Sequence, residues 1–149
     1  TFVNTHLSHA SARLMGDIPA SAQDRTETVT TLAIDDLVPP GTAALIKLDV
    51  EGAEIAAISG AARAIAEGSV LIYEDHGSDP DCTVSAHLLA QPGLSVYSSE
   101  NGLTAMPDIA TIRALKSDPF KGYNFVAARA DSPLLAGIMQ GFAKSAVPR

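Results

Sequence analysis

The chain is poor in the residues that staple, anchor or grip polyanions. Its 149 residues include one cysteine, Cys82, so no internal disulfide framework forms, and no Cys-His spacing suggests a structural zinc site. Tryptophan is absent, aromatic residues make up 5%, and charged residues reach 18%, below the usual quarter. The charge leans acidic, with 10 Lys and Arg against 17 Asp and Glu, a net −7, which argues against a phosphate backbone as partner. No apolar run approaches the roughly 18 residues of a membrane span, and no charged-then-apolar leader opens the chain. The expectation is a cytoplasmic chain with neither a nucleic-acid nor a membrane partner.

What is present is a hydrophobic content of 46%, enough at this length for one domain with a sizeable core. The first residue is Thr1 rather than Met, from which we expect a piece of a longer or processed protein. Residues 1–27 are polar and weakly periodic, broken by Ser8, Ser11, Gly16, Pro19, Ser21 and Gln23, and read mostly as loop; residues 28–149 read as an α/β core. Thr28 to Leu32 is rich in β-branched residues and reads as extended, and Asp35 to Val38 as a helical turn ended by Pro39-Pro40-Gly41.

Ala44-Leu45-Ile46-Lys47-Leu48-Asp49-Val50 is an almost continuous apolar run, the mark of a parallel strand covered on both faces. From Gly52 the period changes: Ile55, Ile58, Ala62 and Ile65 fall on one stripe of a helix that Gly68 ends. Val70-Leu71-Ile72-Tyr73 repeats the buried-strand pattern, completing a strand, helix, strand unit with parallel strands. Thr83 to Ala90 then suits a short helix with Val84, His87 and Leu88 on one side, closed by Pro92-Gly93. Leu94 to Ser98 reads as a strand ending at Asn101-Gly102, and Asp108 as the N-cap of a helix to Lys116. Tyr123 to Ala127 reads as the last strand, and Ser132-Pro133 starts a final helix.

In open α/β sheets, ligands bind beyond the carboxyl ends of the strands. Two such ends here are acidic: Asp49-Val50-Glu51-Gly52-Ala53-Glu54, and Glu74-Asp75-His76-Gly77. Neighbouring strands lie about 5 Å apart, so Asp49, Glu74 and His76 can face one pocket. A carboxylate closing an apolar strand must emerge into a solvated or ligand-lined space, because unpaired burial costs several kcal/mol. Glu51 and Glu54 sit at a helix start, where acids are favoured by the dipole alone; Glu54 is read as structural and Gly52 as a backbone turn. His76 beside two acids suits a general base. Asp49, Glu74 and Asp75 also offer oxygen ligands for a hard cation, although nothing in the spacing requires a metal. His6 and His9 read as solvated loop and His87 as a helix-face residue. Cys82, beside Asp79, Pro80 and Asp81, has no basic sequence neighbour to favour a thiolate. No glycine-rich phosphate loop is present.

Lys47-Leu48-Asp49-Val50-Glu51-Gly52-Ala53-Glu54 resembles the signature of the FkbM-type methyltransferases. The likeness continues through Glu54 to Ala61, with Glu, an apolar pair and then Gly-Ala, and downstream through Val70-Leu71-Ile72-Tyr73-Glu74. Upstream, Val29 to Leu32 with Ile34 to Leu37 is similar to the family's short strand and following turn. The resemblance implies S-adenosyl-L-methionine as donor and a hydroxyl acceptor on a sugar or small natural product. It also implies a Rossmann-like class I methyltransferase sheet, with residues 44–50 and 70–74 as its fourth and fifth strands and the last two strands as an antiparallel closing pair. In that setting His76 is the candidate base, with Asp49 next; Glu74 orients the imidazole or a substrate hydroxyl, and Asp49 and Glu51 face the donor. The family's first three strands and glycine-containing donor loop have no counterpart in residues 1–27. The expected sheet is therefore an incomplete, C-terminal half with an exposed edge, prone to self-association or completed by missing N-terminal sequence. Two rivals stand beside this reading: a non-catalytic dimerisation or binding module, and a metal-dependent hydrolase using the same acids.

Overall fold

In the computed structural model, the residues described are 2–4, 12–14, 25–27, 30–50, 52–100 and 102–145. The first three stretches are short strands, β1 (Phe2–Asn4), β2 (Ala12–Leu14) and β3 (Arg25–Glu27), paired antiparallel in the order β2-β1-β3. The segment expected to be mostly loop thus holds a small sheet, whose three-residue strands are too short to carry a readable period. Residues 30–32, expected to be extended, pair with no strand among the described residues, and Thr28 and Val29 lie outside them.

The expected helical turn is α1 (Ile34–Leu37). It leads to β4 (Leu45–Leu48), then α2 (Glu54–Ser59), α3 (Ala62–Ala66) and β5 (Val70–His76). β4 and β5 are parallel, with Leu45 opposite Val70 and Leu48 opposite Tyr73, which is the strand, helix, strand unit read from the sequence.

Two features of that unit differ from expectation. β4 is not covered on both faces: Leu45 is 55% exposed and Leu48 alone in the strand is buried, because β4 ends the sheet and pairs only with β5 among the described residues. The single helix is also broken, at Gly60-Ala61. The break shifts the buried stripe: Ile58, Ala61, Ala64 and Ile65 face the core, whereas Ile55 and Ala62 are exposed. The cause lies in α1. The Asp35 carboxylate accepts the backbone N–H of Arg63 at 2.8 Å and of Ala64 at 2.9 Å, giving α3 an N-terminal cap of its own.

The remaining elements are α4 (Thr83–Leu89), β6 (Leu94–Ser98), β7 (Thr104–Met106), α5 (Ile109–Leu115), β8 (Gly122–Arg129) and α6 (Pro133–Ser145). All but β7 match the expected elements. Asp108 caps α5 through the Thr111 N–H at 2.8 Å, as its position predicts. β7 is a three-residue strand that follows Gly102, whose φ of +85° turns the chain back along β6. The five-stranded sheet runs β4-β5-β8-β6-β7, with β8 antiparallel to both β5 and β6. This mixed α/β sheet is compatible with part of the methyltransferase sheet that the resemblance implies.

Side chains alternate across the sheet. Leu71, Tyr73, Val96 and Phe125 pack on one face with Ile58, Ile65, Leu88 and Ile112, and Tyr73 stacks on Phe125 at 5.8 Å between centroids. Val70, Val126 and Ala128 pack on the other against Leu135 of α6. Ser132 starts that helix, accepting the Leu135 N–H at 3.2 Å while donating its hydroxyl to the Gly68 carbonyl at 2.6 Å. With both faces of β5 buried, the polar end of that strand is held in a fixed place beside the end of β4.

Candidate functional site

β4 and β5 are parallel, so their carboxyl ends open on the same side, and a cleft of about 520 Å³ lies there. Its walls include Asp49, Glu54, Glu74, Asp75, His76 and Asp79. The juxtaposition expected from the sequence is therefore present: Asp49 follows one strand, Glu74 and His76 end the other, and all three line one cavity. Among the described residues, no lysine or arginine lines it.

Asp49 is exposed, and its carboxylate accepts a hydrogen bond from Lys47 at 2.5 Å. In so exposed a pair the attraction is worth little, so a ligand can compete for Asp49 at small cost. Gly52, at φ +86°, makes the sharp turn from strand to helix, and its N–H donates to Glu54 at 3.2 Å, the structural role read for Glu54. Glu51 lies outside the described residues.

β5 runs three residues beyond the apolar run Val70 to Tyr73 and two beyond the strand to Glu74 that the resemblance implies, so Asp75 and His76 are strand residues as Glu74 is. They pair with Asn124, Tyr123 and Gly122 of β8. Alternation exposes Glu74 and His76 on one face and buries Asp75 on the other. The carboxylate of Glu74 lies where a Cβ on Gly122 would sit, within 2.3–2.5 Å of that point, so the glycine leaves its room. The imidazole's partner is Ser78: Nδ1 is 2.6 Å from the Ser78 hydroxyl and accepts the Ser78 backbone N–H at 3.2 Å. Nε2 has no hydrogen-bond partner among the described residues.

The sequence reading missed how the buried part of this wall is held. Asp75 is 2% exposed and accepts a hydrogen bond from Lys116 at 2.5 Å on one oxygen and from the Ser85 hydroxyl at 2.5 Å on the other. Ser85 in turn lies 2.8 Å from the Tyr73 hydroxyl, whose phenol is pushed up chiefly by burial. Lys116 also donates to the Asp79 carbonyl at 2.7 Å and approaches Cys82 Sγ at 3.5 Å. Cys82 thus has a basic neighbour in space, although burial, first among its influences, still raises its thiol pKa. Asp79 caps α4 through the Thr83 N–H at 2.6 Å; burial pushes its carboxyl up, but hydrogen bonds from Thr83 and Asp81 outweigh that and leave it below the usual range. The only sequence signal for this network was the acid-rich run around Asp75.

Asp49 also borders a second cavity of about 510 Å³, lined largely by apolar groups including Leu32, Ile34, Val50, Ala53 and Ala57. Both volumes lie in the range of small-molecule sites, about 300–1,000 Å³. Among the described residues no group of three or more His, Cys, Asp or Glu side chains is arranged to hold a metal ion, and Asp75 is committed to Lys116 and Ser85 rather than to a cation shared with Asp49 and Glu74. His87 lies in the last turn of α4, and His6 and His9 fall outside the described residues. No described helix is long and apolar enough to cross a membrane.

Residues 3–91 match the model of the methyltransferase FkbM domain, a span that contains both acidic strand ends and extends beyond residues 28–74, where the resemblance is plainest. No curated protein and no solved structure matches the chain.

Proposed function

As the chain belongs to the FkbM methyltransferase family, we propose that it works in S-adenosyl-L-methionine-dependent transfer of a methyl group to a hydroxyl of a sugar or small natural product, in the cytoplasm. The observation that carries this reading is the meeting of Asp49, Glu74 and His76 in one cleft at the ends of two parallel strands. The donor's chemistry fits the residues present: a cationic methionine part suits an acidic wall without lysine or arginine among the described residues, and a flat adenine suits the apolar cavity that shares Asp49. Asp49 and Glu51 are assigned to the donor's charged end. Bound there, the donor supplies a methyl group on an electrophilic sulfonium.

The protein's own work is to hold the acceptor oxygen on line and remove its proton. His76 is assigned the proton and Glu74, on the same face, the acceptor hydroxyl. His76 meets the acceptor through Nε2. For Nε2 to take a proton, Nδ1 must carry its own and give it in a hydrogen bond to the Ser78 hydroxyl, a contact of 2.6 Å that serves either polarity. Incubation with methyl-labelled donor and a panel of sugars and hydroxylated natural products tests the reading; label in an ether product supports it, and none from any acceptor opposes it.

A second reading is a non-catalytic module that joins a second copy or an upstream segment through β4. β4 pairs only with β5 among the described residues and Leu45 is 55% exposed, which favours it. Concentration-dependent sedimentation of the chain separates a self-associating module from a monomer.

A further inference from the structure

Lys116 bridges the two ends of the turn that carries His76. Its ammonium donates to the Asp75 carboxylate at 2.5 Å on the strand side, and to the Asp79 carbonyl at 2.7 Å on the far side. Between them, the Asp79 N–H closes the turn on the His76 carbonyl at 3.0 Å, and Ser78 places both its N–H and its hydroxyl at Nδ1. Gly77 packs so tightly on Asp118 that a Cβ would stand 2.0 Å from the Asp118 carbonyl oxygen, and its N–H donates to the Lys121 carbonyl at 2.8 Å. The turn is thus fastened from below by Lys116 and from one side by Gly77.

We infer that Lys116 is a positioning residue that selects which nitrogen of His76 carries the proton. A backbone N–H can only donate, so the Ser78 N–H at 3.2 Å requires a lone pair on Nδ1, and the neutral ring then holds its proton on Nε2. In the clamped turn the cleft receives an N–H donor. The base form, with its lone pair on Nε2, arises when the turn relaxes enough for the Ser78 N–H to withdraw and its hydroxyl to accept from Nδ1. Lys116 holds the turn against that change without touching the ring. The choice of ionic clamp has a cost, because both side chains are desolvated, at 3% and 1% exposure.

The inference rests on the assignment of His76 to the acceptor, but its test does not need methyl transfer. Two-bond ¹H–¹⁵N correlation spectra of the intact chain above the histidine titration range distinguish an acceptor Nδ1 from a protonated one. In the wild type, His76 is expected to show an acceptor Nδ1 and a protonated Nε2; a protonated Nδ1 there overturns the inference at once. In Lys116→Met, the two nitrogens are expected to move toward averaged shifts, whereas Ser78→Ala, which keeps the backbone N–H at Nδ1 and removes the hydroxyl that would accept from it, is expected to keep the wild-type pattern. Because Lys116→Met leaves Asp75 buried and unpaired, the double variant Asp75→Asn with Lys116→Met removes both charges and preserves a neutral core. A folded Lys116→Met or double variant whose His76 signals match the wild type assigns Lys116 to stability alone and overturns the proposal. Failure of the methyltransferase reading would appear as no labelled product with the His76 tautomer still dependent on Lys116.

Discussion

The Asp35 carboxylate accepts the backbone N–H of Ala64 at 2.9 Å, across 29 positions of sequence, and with the Arg63 N–H it caps a helix to which it does not belong. Those bonds, that from Ala64 first, hold its carboxyl below the ordinary 3.8, and the Thr111 N–H does the same for Asp108. A carboxyl whose folded pKa is depressed favours the folded state fully above its unfolded value and loses that contribution as pH falls through the folded value. Stability is therefore expected to drop as pH falls below about 4, and Asp35→Asn to flatten that dependence while lowering the thermal midpoint at neutral pH. Urea titrations of the two proteins between about pH 6 and pH 2 measure it.

Gly77→Ala is expected to be among the most damaging small substitutions in the chain. The added Cβ meets backbone, the Asp118 carbonyl oxygen at 2.0 Å, which cannot swing aside as a side chain can. Overpacking of this kind costs typically about 1–3 kcal/mol and here also displaces the turn that seats His76. Calorimetry should show the lower midpoint, and the His76 ring signals should shift.

Gly122→Ala makes the opposite prediction. The obstacle there is the free end of Glu74, so the carboxylate moves and the strand stays. The thermal midpoint is expected to change little. Methyl transfer is expected to fall on the order of 10- to 100-fold from the misplaced carboxylate. Glu74→Gln combined with Gly122→Ala should add little to that loss if both act at one point.

His76→Ala is expected to lower turnover by roughly 10²- to 10⁴-fold, the usual contribution of a positioned acid or base, with acceptor binding nearly unchanged. Steady-state kinetics on the acceptor found with the labelled donor give the two constants separately. A fall in acceptor affinity at unchanged turnover would move His76 from proton transfer to binding.

Much of the fold was legible because local signals agreed with it. The apolar runs at Leu45 to Leu48 and Val70 to Tyr73 gave the parallel pair, and Asp108 and Ser132-Pro133 marked real helix starts. What escaped came from far along the chain. The break at Gly60-Ala61 needs Asp35, and the extension of β5 through His76 needs β8, whose pairing residues lie some fifty positions on. Cys82 has no basic residue near it in sequence, yet Lys116 reaches it from 34 positions away. At the site, the strand-end rule brought Asp49, Glu74 and His76 to one cleft, but it did not show that Asp75, which borders the same cleft, is buried and held by Lys116 and Ser85 from farther along the chain.

The central claim is that this chain belongs to a donor-binding methyltransferase site, and isothermal titration with S-adenosylhomocysteine tests it most directly. The titration is run on residues 1–149 and on the longest natural chain that contains them. The account predicts saturable binding by the longer chain, weaker or lost in residues 1–149 and reduced by Asp49→Ala. Binding by neither would contradict it and leave the non-catalytic module as the better description.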